Sequence, residues 1–138
     1  MNATTRLAVP SLDANVLLRW LLNDVPDQST AVDRLLAGGE SLYVADVALI
    51  EVAFVLEGSM RLSRELIGDY LTALLALGQL TIDRITWSQT IEDYRSHPKL
   101  SLADAYLAAN AEVVGATPLL TFDKKLAQQL DGALLLER

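Results

Sequence analysis

Short apolar runs alternate along this chain with longer segments whose apolar residues recur at helical spacing, and Gly, Pro, Asn, Asp or Ser punctuates the joins. A repeat of two residues and a repeat of about 3.6 cannot share one element, so the chain must interleave strands with helices. Leu7 to Leu12 reads as a first strand. Asn15 to Leu22 reads as a helix stopped by Asn23-Asp24 and Pro26, and Gln28 to Ala37 as a second helix ended by Gly38-Gly39. Ser41 to Ala45 is a short strand, and Asp46 is placed to cap a helix through Val47–Leu56 that ends at Gly58.

Ser63 caps the next helix, whose apolar residues Leu66, Ile67, Tyr70, Leu71, Leu74 and Leu75 fall on one face before Gly78 ends it. Leu80 to Ile85 is a third strand. Thr86 with Gln89 has the spacing of a capping box for a helix to about Ser96, broken by His97-Pro98. Ser101 with Asp104 starts another helix, ending at Gly115. Pro118 to Phe122 is a fourth strand, Lys124 to Leu130 a helix, Asp131-Gly132 a turn and Ala133 to Leu136 a last strand. Strands alternating with helices imply α/β architecture on a mainly parallel sheet, in one domain spanning 1–138.

Composition narrows the function. Hydrophobic residues make up 51% of the 138 and charged residues 21%, a globular balance. With no cysteine there is no disulfide or thiolate metal site, and a reducing, cytoplasmic setting is expected. Met1 to Arg6 lacks the layout of a signal peptide, and charges interrupt every long apolar run, so no membrane span is expected. The net charge of −7 argues against a broad basic nucleic-acid-binding face. It weighs less against a nuclease, where bound cations and a few local basic residues hold phosphate.

Four acids sit among apolar neighbours. Glu51 is the only charge between Val47 and Leu56, a segment expected to be buried, where an unpaired carboxylate costs several kcal/mol and demands a cation, a proton or a partner such as Arg19. Asp104 lies in Leu102-Ala-Asp-Ala-Tyr-Leu-Ala-Ala109, with Leu107, Ala108 and Ala111 at adjacent helical positions. Asp13 follows the first strand and Asp123 the fourth, and ligand sites in open α/β sheets lie beyond the carboxyl ends of strands. Each acid also has a local explanation: Asp13 and Asp123 as helix caps, Asp104 as partner of Ser101, Glu51 in an ion pair. A shared metal site replaces four explanations with one. One His and no Cys point away from zinc, whereas oxygen ligands suit Mg²⁺ or Mn²⁺. His97, lone in a loop, reads as a surface residue.

The same residues resemble the PIN-domain family. Leu12-Asp13-Ala14-Asn15-Val16-Leu17-Leu18, Ala48-Leu49-Ile50-Glu51-Val52, Leu102-Ala103-Asp104-Ala105 with Ala108-Ala109, and Leu120-Thr121-Phe122-Asp123 look like its four motifs in order. Order, spacing and length most resemble the VapC-type toxins of toxin–antitoxin pairs, over about residues 7–136. The resemblance implies a three-layer fold whose five-stranded, mainly parallel sheet is flanked by helices. It also implies Mg²⁺- or Mn²⁺-dependent endoribonuclease activity, a homodimer, and inhibition by a cognate antitoxin.

In that scheme Asp13, Asp104 and Asp123 hold one or two cations and Glu51 completes the cluster, directly or through water. The metal makes hydroxide available near neutral pH, and a neighbouring carboxylate takes the proton. Asn15 and Thr121 are placed to support the ligands by hydrogen bonds, with capping and turn stabilisation as their ordinary roles. Arg19, Lys124 and Lys125 adjoin the motif acids and are candidates to grip the RNA backbone, against a plain solvated face. Trp20 and Leu21 belong to the core or to a partner surface. Two rivals remain: a PIN-like module that only binds protein or RNA, and a phosphatase using Asp13 as nucleophile. The second lacks the usual acid two residues on, where Asn15 stands. A phosphorylated receiver domain fits less well, having no acidic pair at the first strand.

Overall fold

The computed structural model describes residues 9–138. Its helices and strands alternate as α1 (Ala14–Leu22), α2 (Pro26–Ala37), β1 (Leu42–Tyr43), α3 (Asp46–Gly58), α4 (Arg64–Leu75), β2 (Leu80–Thr81), α5 (Arg84–Ser96), α6 (Leu102–Val114), β3 (Leu119–Thr121), α7 (Lys124–Gln129) and β4 (Ala133–Leu135).

Local chemistry sets most of these boundaries. Asp13 caps α1, its Oδ1 accepting the Val16 N–H at 3.1 Å, and Asn23 closes it in the left-handed region at φ 49°. Pro26 opens α2 at its first position, where a missing N–H costs nothing, so that helix starts before Gln28. Ser63 caps α4 and Ser101 caps α6, which ends at Gly115 with φ 74°. The start of α5 departs from expectation. Asp83, not Thr86, is the cap: its Oδ1 accepts the Thr86 N–H at 3.1 Å and its Oδ2 the Thr86 hydroxyl at 2.7 Å. Gln89 turns forward to Asp93 instead of back to Thr86. Ile85 therefore belongs to the helix, and the strand before it stops at Thr81.

The strands are parallel, as expected, but short. β1 pairs with β2 in the register Leu42↔Leu80 and Tyr43↔Thr81. Ser11 bridges Tyr43 in parallel, with the Leu12 N–H donating to the Tyr43 carbonyl at 2.9 Å. β3 pairs with β4 through Leu119↔Ala133, Leu120↔Leu134 and Thr121↔Leu135. Among the described residues the strands thus form two parallel pairs, not one sheet of five. Of the expected first strand, Leu7 and Ala8 lie outside the described residues, and within the rest only Ser11 forms a bridge. Several pairings end where the chain turns into a helix N-terminus, so few residues of each run enter a ladder.

The main core lies between α1, α3, α4 and α5 and the β1–β2 pair, with Trp87 and Tyr94 fully buried inside it. α3 contributes Ala48, Leu49, Val52, Ala53 and Leu56, and touches α1, α4 and α6. Trp20 and Leu21 are half-buried against this core. A second small cluster of Leu100, Leu126 and Ala133 seats α7 and β4. No helix among the described residues is long and apolar enough to cross a membrane. Leu56 is completely buried on α3. Leu56→Ala should lower unfolding stability by about 2–5 kcal/mol in urea titrations, and a loss under about 1 kcal/mol would show that the site collapses around the smaller side chain.

Candidate active site

A parallel strand delivers the chain to its carboxyl end, and here the next residues turn into helices with an aspartate at the turn. Asp13 follows the Ser11–Leu12 segment, Asp46 follows β1, Asp83 follows β2 and Asp123 follows β3. An acid is favoured there because helix N-termini present unpaired N–H groups and a partial positive charge. What separates these four is how fully each carboxylate is used.

Asp83 spends both oxygens on Thr86. Asp46 also spends both, but on distant side chains: Oδ1 accepts the Trp87 indole N–H at 2.8 Å and Oδ2 the Tyr106 hydroxyl at 2.5 Å. It therefore does not cap α3, as the sequence led us to expect; Ala45 occupies the cap without a side-chain bond. Asp13 engages only Oδ1, with Val16. Asp123 engages only Oδ1, with the N–H groups of Lys125 at 2.9 Å and Leu126 at 3.3 Å. Among the described residues the second oxygen of Asp13 and of Asp123 has no hydrogen-bond partner. Both side chains are exposed and keep an oxygen for a ligand.

Asp104 stands in the first turn of α6, half-buried, and its N–H donates to Ser101 Oγ at 3.1 Å. That is one half of the expected capping box. Buried Ala108 and Ala111 follow it on the helix, while Leu107 is exposed. Glu51 needs correcting. It is exposed, on the outward face of α3 that also carries Val47 and Phe54, themselves 61% and 77% exposed. Its carboxylate is solvated, so the expected cost of burial does not arise. Arg19 is not its partner either: the guanidinium pairs with Asp24 at 3.1 Å.

The supporting residues divide. Asp13, Asn15 and Arg19 line one cleft of about 300 Å³ with Val16, Gln28, Ala31 and Val32. Thr121 Oγ1 accepts the Asp123 N–H at 2.9 Å, which holds the turn that presents Asp123. Lys124 and Lys125 are exposed at the start of α7. His97 ends α5, its Nδ1 3.0 Å from the Asp93 carbonyl, and lines a different cleft with Glu112 and Asp131.

Sequence reasoning missed Tyr106 and the true role of Asp46. Tyr106 stacks on Trp87 with ring centroids 5.2 Å apart. Burial, then the hydrogen bond to Asp46 and the nearby charges of Asp46, Asp83 and Tyr43, push its phenol up to about 12. It remains a donor through the neutral range. The available signal was general: a Trp and a Tyr on largely buried helices each need a partner for the polar tip.

A family model described as the PIN domain matches residues 11–130, a span that contains all four motif acids. The chain belongs to the PIN domain family. No curated protein and no solved structure matches it. Membership agrees with the α/β architecture, and PIN domains are typically nucleases that use divalent metal ions. The donors suit a hard cation, being carboxylate oxygens with two of them spare. Their placement does not: among the described residues no three His, Cys, Asp or Glu side chains stand close enough together to hold an ion.

Because Asn caps a helix about as well as Asp, Asp13→Asn should leave unfolding stability within about 0.5 kcal/mol of the parent, whereas Asp13→Ala should lose about 1 kcal/mol. Urea unfolding of both variants measures this. Equal losses would mean that the carboxylate charge, and not its acceptor oxygen, holds the helix end.

Proposed function

We propose that this PIN domain is an endoribonuclease dependent on Mg²⁺ or Mn²⁺, and the toxin of a type II toxin–antitoxin pair. The observation that carries the reading is the family match over residues 11–130, joined to the placement of Asp13 and Asp123 at helix starts with one carboxylate oxygen uncommitted among the described residues. Asp13, Glu51, Asp104 and Asp123 are the acids assigned to the site. Asn15 and Thr121 support it, and the cation is assigned from the all-oxygen donor set alone. A single five-stranded sheet is part of the same reading.

RNA is the substrate, and Lys124 and Lys125, exposed beside the motif acid Asp123 and in no ion pair among the described residues, are the cations assigned to it. A chain of net charge −7 meets phosphate locally or not at all. A homodimer and a cognate antitoxin complete the assignment. Val47 and Phe54 on α3, and the cross-strand pair Leu120 and Leu134 on β3 and β4, leave apolar surface for such partners. The rival is a PIN domain kept only for binding, and the lack of a three-carboxylate cluster among the described residues favours it.

Cleavage of tRNA and of single-stranded RNA with Mn²⁺ or Mg²⁺ decides between them. The parent should cleave at least one RNA, chelator should abolish the activity, and Asp13→Asn and Asp104→Asn should each lower the rate at least about a hundredfold. A folded parent that cleaves none of these RNAs and shows no Mn²⁺ affinity dependent on Asp13 would select the binding-only PIN domain.

Replacing Lys124 and Lys125 together by Ala should weaken RNA binding and reduce the slope of log affinity against log salt by about 1 to 2. An unchanged slope would remove both lysines from the RNA surface.

A further inference from the structure

We propose that Asp46 and Tyr106 form a positioning tie that sets α3, the carrier of Glu51, against α6, the carrier of Asp104; the proposal rests on the nuclease reading above. Asp46 opens α3, five residues before Glu51, and Tyr106 follows Asp104 by two residues in the first half of α6. The bond between them, 2.5 Å from Tyr106 hydroxyl to Asp46 Oδ2, joins those two helices directly. The other oxygen of the same carboxylate takes the indole N–H of Trp87 on α5, and the Trp87 ring stacks on Tyr106 at an interplanar angle of 28°. Three helices are thus locked through one carboxylate.

The far end of α3 is pinned as well. Tyr94, fully buried on α5, donates its hydroxyl to Glu57 in the last turn of α3. Arg64 lies over the Tyr94 ring, 4.2 Å from its centroid. A helix held at both ends has little freedom to slide or rotate, so the Cα of Glu51, midway between the ties, is fixed although its side chain is solvated. Only the Asp46 tie also reaches α6. It is the one of the two that sets Glu51 and Asp104 relative to each other, and misplacement of reacting groups by about 1 Å can cost a hundredfold in rate.

An Asn at position 46 can preserve the tie. Its amide oxygen accepts from Trp87, and its amide N–H donates to the Tyr106 oxygen, which can act as acceptor instead of donor. Position without charge is therefore testable. Cleavage kinetics on one labelled RNA with Mn²⁺ compare the parent with Asp46→Asn, Asp46→Leu and Tyr106→Phe, at a temperature where circular dichroism shows each fully folded. Tyr106→Phe deletes a single oxygen and keeps the stack, so it serves if Asp46→Leu does not fold.

Tyr106→Phe and Asp46→Leu should lower kcat about tenfold with KM within about twofold of the parent, while Asp46→Asn stays within about threefold of parental kcat. Parental kcat in folded Tyr106→Phe overturns the tie, whatever its melting temperature. Asp46→Asn as slow as Asp46→Leu overturns it too, because the charge itself would then be at work. A parent that cleaves no RNA brings down the nuclease reading and this proposal with it. An active parent beside fully active variants brings down the tie alone.

Discussion

Parallel pairing is the constraint from which the rest follows. A parallel strand cannot return through a tight turn; it needs a crossover, and here the crossovers are helices. The ends of β1, β2 and β3 are therefore helix starts, and each helix start brings unpaired N–H groups and a positive partial charge to the end of its strand. Aspartate is the residue that answers this demand, and Asp13, Asp83 and Asp123 answer it as caps. The fold thus places acids at strand ends for reasons of stability before any chemistry is considered.

That makes the presence of acids at strand ends a weak sign of function, and the state of their oxygens a better one. A carboxylate has two oxygens with room for several donors. Where Thr86 engages both oxygens of Asp83, or Trp87 and Tyr106 engage both of Asp46, each oxygen already has a protein donor and the residue is tied into the structure. Where the cap uses one oxygen, as at Asp13 and Asp123, the other has no donor among the described residues. Capping and ligand binding are then complementary: the helix N–H groups hold the carboxylate in one rotamer, which lowers the entropy a ligand must remove.

Much of this was legible in the sequence because it is local. Ser63, Ser101, Asp123 and Gly115 mark helix ends through bonds to residues within four positions, and those boundaries stand. Where two local signals competed, the nearer-looking one misled: Thr86 and Gln89 have box spacing, but Asp83 reaches the Thr86 N–H first. Glu51 was misread for a different reason. The outward face of α3 carries Val47 and Phe54, so hydrophobicity alone could not tell its exposed side from its buried one. Asp46 was illegible because its partners lie 41 and 60 residues away. The association of strands escaped as well, since pairs of two or three residues carry no register signal of their own.

The exposure of Glu51 alters how its carboxylate is held in place. A buried acid is positioned by packing and hydrogen bonds but loses hydration, which costs several kcal/mol unless a cation or donors replace the water. An exposed acid keeps its hydration and loses that definition, unless the backbone beneath it is rigid. α3 supplies the rigidity: it buries Leu49, Val52, Ala53 and Leu56, and aromatic hydroxyls bind acids in its first and last turns. The stabilising interactions sit at Asp46 and Glu57, away from the solvated charge between them. Under the proposed assignment of Glu51 to the active site, stability and reactivity fall to different carboxylates of one helix, so the tie leaves free the oxygens that a ligand would need.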